Sequence, residues 1–343
     1  MKEKIKKDPK KIVAVVVNWN GKQFLYDCFS TLSKQDYKNY EIVMVDNAST
    51  DDSVEYVKKT FPKVKIINSP SNRGFGAAVN LAINATKSDY IIFLNNDVSF
   101  KKNFLSELAK TLEPNDVGGV SPKILLYDRP NIINYAGGIV NYLGYTWPKY
   151  AKNKDRKLQI EETPFGGILM FKREILKKIG VFDELFFLYH EDSDLCWRIR
   201  LAGYKILFNP NAVMYHKYDF KRNNKKMMFL EKNRLLLITK NYSTRTLIIL
   251  FPIIIFSEVA SIGYSLINGW VLDKLKSYIH MLQNLPEIIR KRKRIKDFRK
   301  IPDKEFTKPF VGDINYIELK NPIIKYLLSP VYNKYWQIAK SVI

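Results

Sequence analysis

Three carboxylates lie within four positions of one another, at Glu191, Asp192 and Asp194. They directly follow a run of aromatic residues that begins at Phe186. A carboxylate beside apolar rings is desolvated, and desolvation raises its pKa toward a value that suits a general base. Two structural interpretations compete, because acids at a helix start stabilise the helix dipole and Asp194 can pair with Arg198 one turn later. The segment is therefore a candidate for proton transfer.

A further carboxylate, Asp97, follows the apolar run 90–94. Mg²⁺ and Mn²⁺ prefer oxygen ligands and bridge phosphate groups, so a carboxylate here can bind a cation that also holds a diphosphate. An aspartate after a strand is also an ordinary turn residue. His216 is one of three histidines, and it is a metal-ligand candidate only if it faces Asp97. The sequence leaves this pairing open.

Two more segments suit a nucleotide. Asp46 follows the apolar run 42–45 and can accept a hydrogen bond from a pyrimidine or a ribose. A nicotinamide-binding fold would need G-x-G-x-x-G after the first strand, but residues 18–23 read Asn-Trp-Asn-Gly-Lys-Gln. In segment 72–76, two glycines, an arginine and a following helix favour an anion, although an ordinary loop-to-helix turn has the same pattern.

The elements that position these residues alternate regularly. Four apolar, strand-like runs are separated by helical patterns, at 12–17, 42–45, 65–67 and 90–94. Strands this apolar need cover on both faces, which predicts an α/β fold with a mostly parallel sheet and helices on both sides. Ligands bind beyond the carboxyl ends of such strands, where the polar clusters at 18–21, 46–49 and 95–97 occur.

Six segments in chain order between Ile12 and His216 resemble the family 2 glycosyltransferases, in particular the rhamnosyltransferase-like, non-processive branch. They are residues 17–21, 45–51, 72–76, 94–98, 166–167 and 191–198. The resemblance implies a Rossmann-like GT-A fold, a nucleotide-sugar donor, a divalent metal, Mg²⁺ or Mn²⁺, and inversion at the anomeric carbon. The Q-x-x-R-W signature of processive synthases is absent, so we expect a single sugar addition.

The resemblance also implies roles for individual residues. Asp192 is the expected base, with Glu191 as its rival. Asp97 is the expected metal-binding acid, with His216 as a second ligand. The first acid of the family's D-x-D motif is Asn95 here, which is a departure from the pattern. The donor side is expected to comprise Asn18, Asn20, Asp46, Asn72, Arg73, Gly74, Asn96 and Gly167.

The chain is strongly basic, with 57 Lys and Arg against 34 Asp and Glu, a net charge of +23. Nucleic acid, an anionic membrane surface or a phosphorylated substrate could each match this charge. No nucleic-acid-binding motif is present, so we do not expect nucleic acid as a partner. The sharpest basic run, 290–294, can also be a solvated, flexible stretch. The two cysteines predict buried free thiols, and the charged start predicts no secretory signal peptide.

The last third of the chain changes character. Residues 246–270 are nearly all apolar and long enough to cross a bilayer, although Glu258 near their middle is costly in lipid. An amphipathic helical pattern and the basic run follow. We expect attachment to the cytoplasmic face of the membrane, peripheral or with one anchor near 246–270; a buried hydrophobic hairpin is the alternative. The expected divisions are a catalytic domain (1–217), a helical membrane-associating region (218–300) and a C-terminal tail (301–343) that packs on the domain or on the membrane.

These patterns together predict an enzyme that moves one sugar from a UDP- or dTDP-sugar to a hydroxyl acceptor. The acceptor is expected to be a lipid-linked or other glycan in the assembly of cell-surface polysaccharide or glycoprotein. An inactive sugar- or membrane-binding module with the same fold is the alternative from another class.

Overall fold

The computed structural model describes residues 8–218, 226–314 and 322–343. The strands are β1 (Ile12–Asn18), β2 (Tyr40–Asp46), β3 (Lys65–Asn68), β4 (Tyr90–Asn95), β5 (Val98–Phe100), β6 (Val117–Leu126), β7 (Ile133–Tyr135), β8 (Gly138–Val140), β9 (Thr146–Pro148), β10 (Glu161–Glu162), β11 (Met170–Lys172) and β12 (Lys205–His216). The helices of the first two-thirds are α1 (Lys22–Leu32), α2 (Ser53–Thr60), α3 (Phe75–Ala85), α4 (Phe104–Leu112), α5 (Arg173–Ile179) and α6 (Glu191–Leu201).

The remaining described elements are helices. These helices are α7 (Lys226–Asn241), α8 (Thr244–Ile267), α9 (Val271–Gln283), α10 (Leu285–Phe298), α11 (Asp303–Phe306), a π-helical turn (Ile324–Leu328) and α12 (Ser329–Val342). A single hydrophobic cluster continues from the strands into these helices. Tyr142, which follows β8, stacks on Trp336 of α12 with ring centroids 4.7 Å apart. The C-terminal helices therefore pack on the sheet domain.

The main sheet has the strand order β10-β12-β6-β11-β4-β1-β2-β3. Strands β4, β1, β2 and β3 run parallel, as their apolar sequences predicted. Strand β11 then runs antiparallel to both β4 and β6, so the whole sheet is mixed. The expected α/β class, with a helical C-terminal region, is confirmed. The two cysteines are free and buried, also as expected.

Two features of the sheet position the polar clusters. The parallel register places Asn18 opposite Asp46 and Val17 opposite Asn95, so three strands end together. The short strand β5 then pairs antiparallel with the end of β12, which places Val98 opposite His216. Residues far apart in the chain are therefore brought to one edge of the sheet.

The basic run 290–294 belongs to helix α10, so it is not a flexible stretch. Lys291 forms an ion pair with the buried Asp183, and Arg292 donates to the backbone carbonyl of Thr239. Lys293 and Arg294 are exposed. One side of the run thus fastens α10 to the sheet domain, while the other faces solvent.

A buried cluster of four charged residues lies between α7, α8 and α9. Lys274 Nζ lies 2.7 Å from a carboxylate oxygen of Glu231 and 2.7 Å from one of Glu258. Arg234 pairs with both acids. Burial alone would raise the pKa of Glu231, but Arg234 and Lys274 lower it to about 2. Glu258 of the apolar helix therefore faces balancing charges inside the protein.

We expect Glu258→Gln to destabilise the fold, because it leaves two buried cations against one carboxylate. Breaking a buried ion pair in this way costs about 3–5 kcal/mol. The depressed pKa of Glu231 means that its own contribution is complete above pH 4.5 and is lost as the pH falls toward 2.

Urea unfolding of Glu258→Gln at pH 7 measures this loss. Glu55→Gln is the matched control, because Glu55 pairs with Lys58 on the surface at 4.0 Å. We expect that control to change the unfolding free energy by less than about 1 kcal/mol. Equal effects of the two substitutions would contradict the importance of the cluster.

Candidate active site

The acid pair Glu191 and Asp192 begins helix α6 after a strained loop. Tyr189 and His190 have φ of 68° and 65°, the left-handed region that side chains other than glycine rarely adopt. Two consecutive residues in this conformation persist only where surrounding contacts hold them. The loop therefore has a fixed shape immediately before the acids.

Asn233 of α7 makes two of the contacts that hold this loop in place. Its side-chain Nδ2 donates to the backbone carbonyls of Leu188 at 2.8 Å and Tyr189 at 2.7 Å. Asn233 is completely buried, and the next residue, Arg234, belongs to the buried charge cluster. The C-terminal helices thus contact the loop that presents the acid pair.

The two acids have raised pKa values. Burial and the neighbouring Asp192 raise the pKa of Glu191 to about 8. Burial raises the pKa of Asp192 to about 6, although its Oδ1 accepts a hydrogen bond from the Ser193 backbone N–H at 2.6 Å. Burial thus favours the neutral form of both acids, and it does so more strongly for Glu191 than for Asp192.

The third acid of the segment, Asp194, has a structural role. It is fully buried and pairs with Arg198 at 2.9 Å and with Lys240 at 2.6 Å. Asn241 donates to it as well. The pairing with Arg198 that the sequence left open is therefore present, and Asp194 is committed to cations of α6 and α7.

Asp97 and His216 face each other across the β5–β12 pairing. His216 Nε2 lies 3.2 Å from Asp97 Oδ2, and His216 Nδ1 lies 3.0 Å from Asn134 Oδ1. Asp97 Oδ1 is buried and has no hydrogen-bond partner among the described residues. An unpartnered buried carboxylate oxygen beside an imidazole fits a divalent cation, with a diphosphate supplying further oxygen ligands. Within residues 8–218, 226–314 and 322–343, no group of three or more His, Cys, Asp or Glu side chains is placed to hold a metal.

A hydrogen-bonded amide network links Asp46 to the strand end that carries Asp97. Asn18 Nδ2 donates to Asp46 at 3.0 Å, and Asn96 Nδ2 donates to Asn18 Oδ1 at 2.7 Å. Asn18 is completely buried, so it can act only by orienting its neighbours. A Cβ on Gly21 would lie 2.0 Å from Asn96 Nδ2, which explains the glycine at this position.

The segment 72–76 packs against the loop that presents the acids. Gly74 has φ of 86°, and a Cβ there would lie 2.1 Å from the carbonyl oxygen of Phe187. Asn72 accepts from Asn47 Nδ2 at 2.9 Å. Arg73 is exposed and pairs with Glu184. This glycine therefore allows a close approach between two protein segments.

The remaining predicted donor residues, Asn20 and Gly167, are exposed. Asn20 is exposed, and its Oδ1 accepts from the Thr50 backbone N–H at 2.7 Å. Gly167 is also exposed, and a Cβ on it would lie 3.8 Å from Asp192 Oδ2. Gly167 therefore leaves the face of Asp192 open.

The acid pair and His216 border a cavity of about 470 Å³. Four predicted site residues line it, namely Gly167, Glu191, Asp192 and His216. Aromatic side chains of Phe75, Trp147 and Tyr189 line it as well. Asp97 does not line the cavity and reaches it only through its contact with His216. The other predicted donor residues do not line it either, namely Asn18, Asn20, Asp46, Asn72, Arg73, Gly74 and Asn96. The structure thus brings the acid pair and His216 to one cavity, and Asp97 contacts His216.

Sequence comparison identifies the kind of domain that carries this site. The family model described as Glycosyl transferase family 2 matches residues 13–180. That range contains Asp46, Asp97 and Gly167 and ends before the acid pair. A second model, described as N-terminal domain of galactosyltransferase, matches residues 150–222 and contains the acid pair and His216.

Residues 13–180 form a family 2 glycosyltransferase domain, and the chain is a glycosyltransferase.

Curated relatives agree with this assignment. An N-acetylglucosaminyl-diphospho-decaprenol L-rhamnosyltransferase of Mycobacterium tuberculosis is 27% identical over 59% of this chain and 75% of its own length. The O-antigen chain rhamnosyltransferase WbaN of Salmonella anatum is 28% identical over 60% of this chain and 64% of its own length. GalNAc-T7, crystallised with UDP, GalNAc and Mn²⁺, superposes with a TM-score of 0.56 at 18% identity, over 68% of this chain and 48% of its own. That similarity shows a shared GT-A fold.

Several residues of this glycosyltransferase escaped the sequence analysis. Asn134 contacts His216, and Asn233 holds the loop before the acids, but both lie outside every recognisable motif. Gly21 and Asn47 lie in the segments 17–21 and 45–51, where only their neighbours Asn20 and Asp46 were predicted as donor-binding residues. Asn47 directly follows Asp46, and this adjacency is the signal that could have found it.

We expect Asn233→Ala to lower the kcat of the glycosyltransferase about tenfold, because the loop of Tyr189 and His190 loses two hydrogen bonds. The KM for the donor should stay within about twofold, since Asn233 contacts no part of the donor side. Steady-state kinetics with each substrate varied measures this division between kcat and KM.

Asn209→Ala is the matched control for this substitution. Asn209 is equally buried, and its Nδ2 donates to Thr111 and Glu107 on α4, away from the acid pair. A similar loss of thermal stability in both variants, with kcat lowered only in Asn233→Ala, supports a positioning role. Equal kcat in the two variants would show that Asn233 has only a structural role.

Proposed function

We propose that this glycosyltransferase moves one sugar from a nucleoside-diphosphate donor, a UDP- or dTDP-sugar, to an acceptor hydroxyl with inversion at the anomeric carbon. The observation that carries the proposal is one cavity lined by the raised-pKa acid pair and by His216, which contacts Asp97. A base for the acceptor and a pair of groups for the diphosphate are the two requirements of such a transfer.

In the proposed reaction the acceptor oxygen attacks the anomeric carbon as the bond from that carbon to the diphosphate oxygen breaks. The bonding electrons leave with the diphosphate, and Asp192 takes the proton of the acceptor hydroxyl. Its pKa of about 6 keeps Asp192 ionised at neutral pH, while a pKa of about 8 keeps Glu191 protonated. A single displacement of this kind inverts the anomeric configuration and requires one base.

Asp97 and His216 are the residues that would hold a divalent metal, Mg²⁺ or Mn²⁺. The unpartnered Oδ1 of Asp97 supports this assignment, and so does His216, whose ring is oriented by Asn134. A bound metal would neutralise the negative charge that develops on the leaving diphosphate. Because Asn95 replaces the first acid of the motif, His216 becomes the second protein ligand of the proposed site.

The donor side is proposed to follow the amide network. Asp46 is placed to accept from the nucleobase or ribose, with Asn18 and Asn96 fixing its orientation. Asn20 and Arg73 are exposed, and we assign them to the diphosphate or the sugar. Gly74 and Asn72 shape the adjoining turn, and Gly167 leaves space beside the base.

The proposed acceptor is a lipid-linked glycan in the assembly of cell-surface polysaccharide or glycoprotein at the cytoplasmic face of the membrane. The decaprenol-linked substrate named for the mycobacterial relative and the O-antigen product named for the Salmonella relative support this class. A single addition is proposed, because the Q-x-x-R-W signature of processive synthases is absent from the sequence. The proposal includes a catalytic domain that ends at residue 217, a membrane-associating region that ends at residue 300 and a C-terminal tail.

A donor screen tests the function directly. Purified protein is incubated with a panel of nucleotide sugars, with Mg²⁺, Mn²⁺ or chelator, and with or without a lipid-phosphate acceptor, and release of nucleoside diphosphate is measured. We expect metal-dependent release from one UDP- or dTDP-sugar, stimulated by the acceptor, and NMR of the product should show the inverted anomer. Retention of configuration, or release that chelator leaves unchanged, would contradict the mechanism.

A further inference from the structure

Helix α8 presents a continuous apolar stripe to solvent. Five apolar residues are between 47% and 68% exposed and recur at helical spacing on one side, namely Ile248, Phe251, Ile255, Val259 and Leu266. The opposite side of the helix is buried through Leu250, Ile253 and Ser257. An uncovered stripe of this length is unusual for a surface that only water contacts.

The two helices next to α8 carry exposed apolar residues of their own. Helix α12 runs antiparallel along α8, because Arg245 donates to the carbonyl of Val342 at 2.8 Å and Tyr335 donates to that of Ile249 at 2.5 Å. The exposed apolar residues of α9 are Leu272, Leu275, Ile279 and Leu282, and those of α12 are Val331, Ile338 and Val342. We call these residues, together with the stripe of α8, the apolar face.

Helix α8 is long and apolar enough to cross a membrane, with a mean hydropathy of 2.1, and it alone passes this test among the described residues. Its contacts argue against crossing. Glu258, on its inner side, belongs to the charge cluster with Arg234 and Lys274. Moving α8 into the bilayer core would separate these charges and leave them unpaired in an apolar medium. The apolar stripe therefore reaches lipid only if the helix lies along the surface.

The charged residues near the apolar face indicate which kind of lipid surface it would bind. Residues 322–343 carry three lysines and no acidic residue. Lys276 of α9 is 68% exposed, and Asp273 is its acidic neighbour on that helix. Basic side chains at the edge of an apolar face suit the headgroups of anionic lipids.

We propose that the apolar face seats this glycosyltransferase flat in the headgroup region of an anionic leaflet, with α8 parallel to the membrane plane and not across it. The proposal rests on the proposed function only for its biological setting, since a lipid-linked acceptor is confined to the same leaflet. Membrane binding by the apolar face can therefore be tested separately from the sugar transfer that we propose for the cavity.

Flotation with lipid vesicles tests the seating. Wild-type protein should float with phosphatidylcholine vesicles that contain phosphatidylglycerol, and less with pure phosphatidylcholine. The double variant Phe251→Asp/Val259→Asp should lose binding by about tenfold or more, because two charges enter the apolar stripe. The matched control is Ile160→Asp, at an apolar residue that is 49% exposed but outside the apolar face, and it should float like wild type.

Depth measurements distinguish a flat helix from a spanning one. A fluorophore on a single introduced cysteine at position 248, 259 or 266 reports its depth through quenching by lipid-attached quenchers; both native cysteines are buried. Equal, shallow depths at the three positions are expected. A deep value at 259 between shallow values at 248 and 266 would show a spanning helix and overturn the proposal.

Two further results bear on the same proposal. If wild type is a dimer by light scattering, Phe251→Asp/Val259→Asp is a monomer, and neither binds vesicles, the face is an interface between copies and the proposal is wrong. Transfer to a water-soluble acceptor should be unchanged in the double variant. An absence of transfer in wild type would count against the proposed function, whereas flotation would still measure the membrane face.

Discussion

Asp192→Asn should reduce kcat by roughly a hundred- to ten-thousand-fold, the range for loss of a general base. The amide has nearly the shape of the carboxylate but cannot accept the proton of the acceptor hydroxyl. Donor binding should persist, because Asp192 lies on the acceptor side of the cavity in the proposed arrangement. Stopped assays of nucleoside diphosphate release, together with calorimetric titration of the donor, measure the two effects separately.

The pH dependence identifies which acid of the pair is the base. If Asp192 is the base, kcat/KM should rise with pH through about 6, where Asp192 ionises, and fall through about 8, where Glu191 loses its proton. Glu191→Gln should then keep the acidic limb and lose the alkaline one, since glutamine stays neutral. These apparent values belong to the coupled pair.

The opposite result would reverse the roles of the two acids. If wild-type activity rises only through pH 8, Glu191→Gln is inactive and Asp192→Asn stays active, then Glu191 is the base. The third acid offers no such test, because Asp194 is committed to Arg198 and Lys240 and its replacement would unfold the start of α6.

Asp97→Asn should have the second large effect. We expect kcat to fall roughly a hundredfold, which corresponds to about 2.7 kcal/mol of lost charge stabilisation at the leaving diphosphate. The concentration of Mn²⁺ that gives half-maximal activity should rise as well, because Asp97 is the one acid of its motif. A metal titration of the rate, and binding of Mn²⁺ followed by electron paramagnetic resonance, measure the change with and without turnover.

The proposed metal ligands His216 and Asp97 can each be compared with a residue of the same type elsewhere in the protein, His280 and Asp116. His216→Ala should weaken Mn²⁺ binding, and Asn134→Ala should weaken it about tenfold through the orientation of His216. His280→Ala on α9 and Asp116→Asn, whose carboxylate pairs with Lys205 on the surface, should leave binding unchanged. Unaltered Mn²⁺ binding in Asp97→Asn would refute the proposed ligand.

The sequence predicted the sheet region more completely than the site. The apolar runs of β1, β2 and β4 predicted buried parallel strands, because strands covered on both faces contain few polar residues. The antiparallel insertion of β11 was not predicted, since three residues carry too little pattern to set a direction. The apolar and amphipathic patterns of the last third predicted helices, but not which sides of them are buried.

For the site, the local sequence pattern identified the candidate residues but not the residues with which they pair. Glu191 and Asp192 were identified from their own neighbours, because acids after an aromatic run at a helix start carry a recognisable signal. The sequence could not choose between base and ion pair for Asp194. That choice depended on Lys240, which belongs to a different helix and approaches to 2.6 Å only in the folded chain.

By itself the sequence determined the order of the elements, the α/β class and the candidate residues, because periodicity and motif depend on residues that are near in the chain. The tertiary structure alone decided that His216 faces Asp97, which lies 119 positions earlier in the chain, and that Asn233 holds the loop before the acids. It also decided that Glu258 points into the protein while the apolar side of α8 points out. The physical reason is the same in each case: burial, pKa and pairing are set by groups that meet in space, and packing of β12 and the C-terminal helices determines which groups meet.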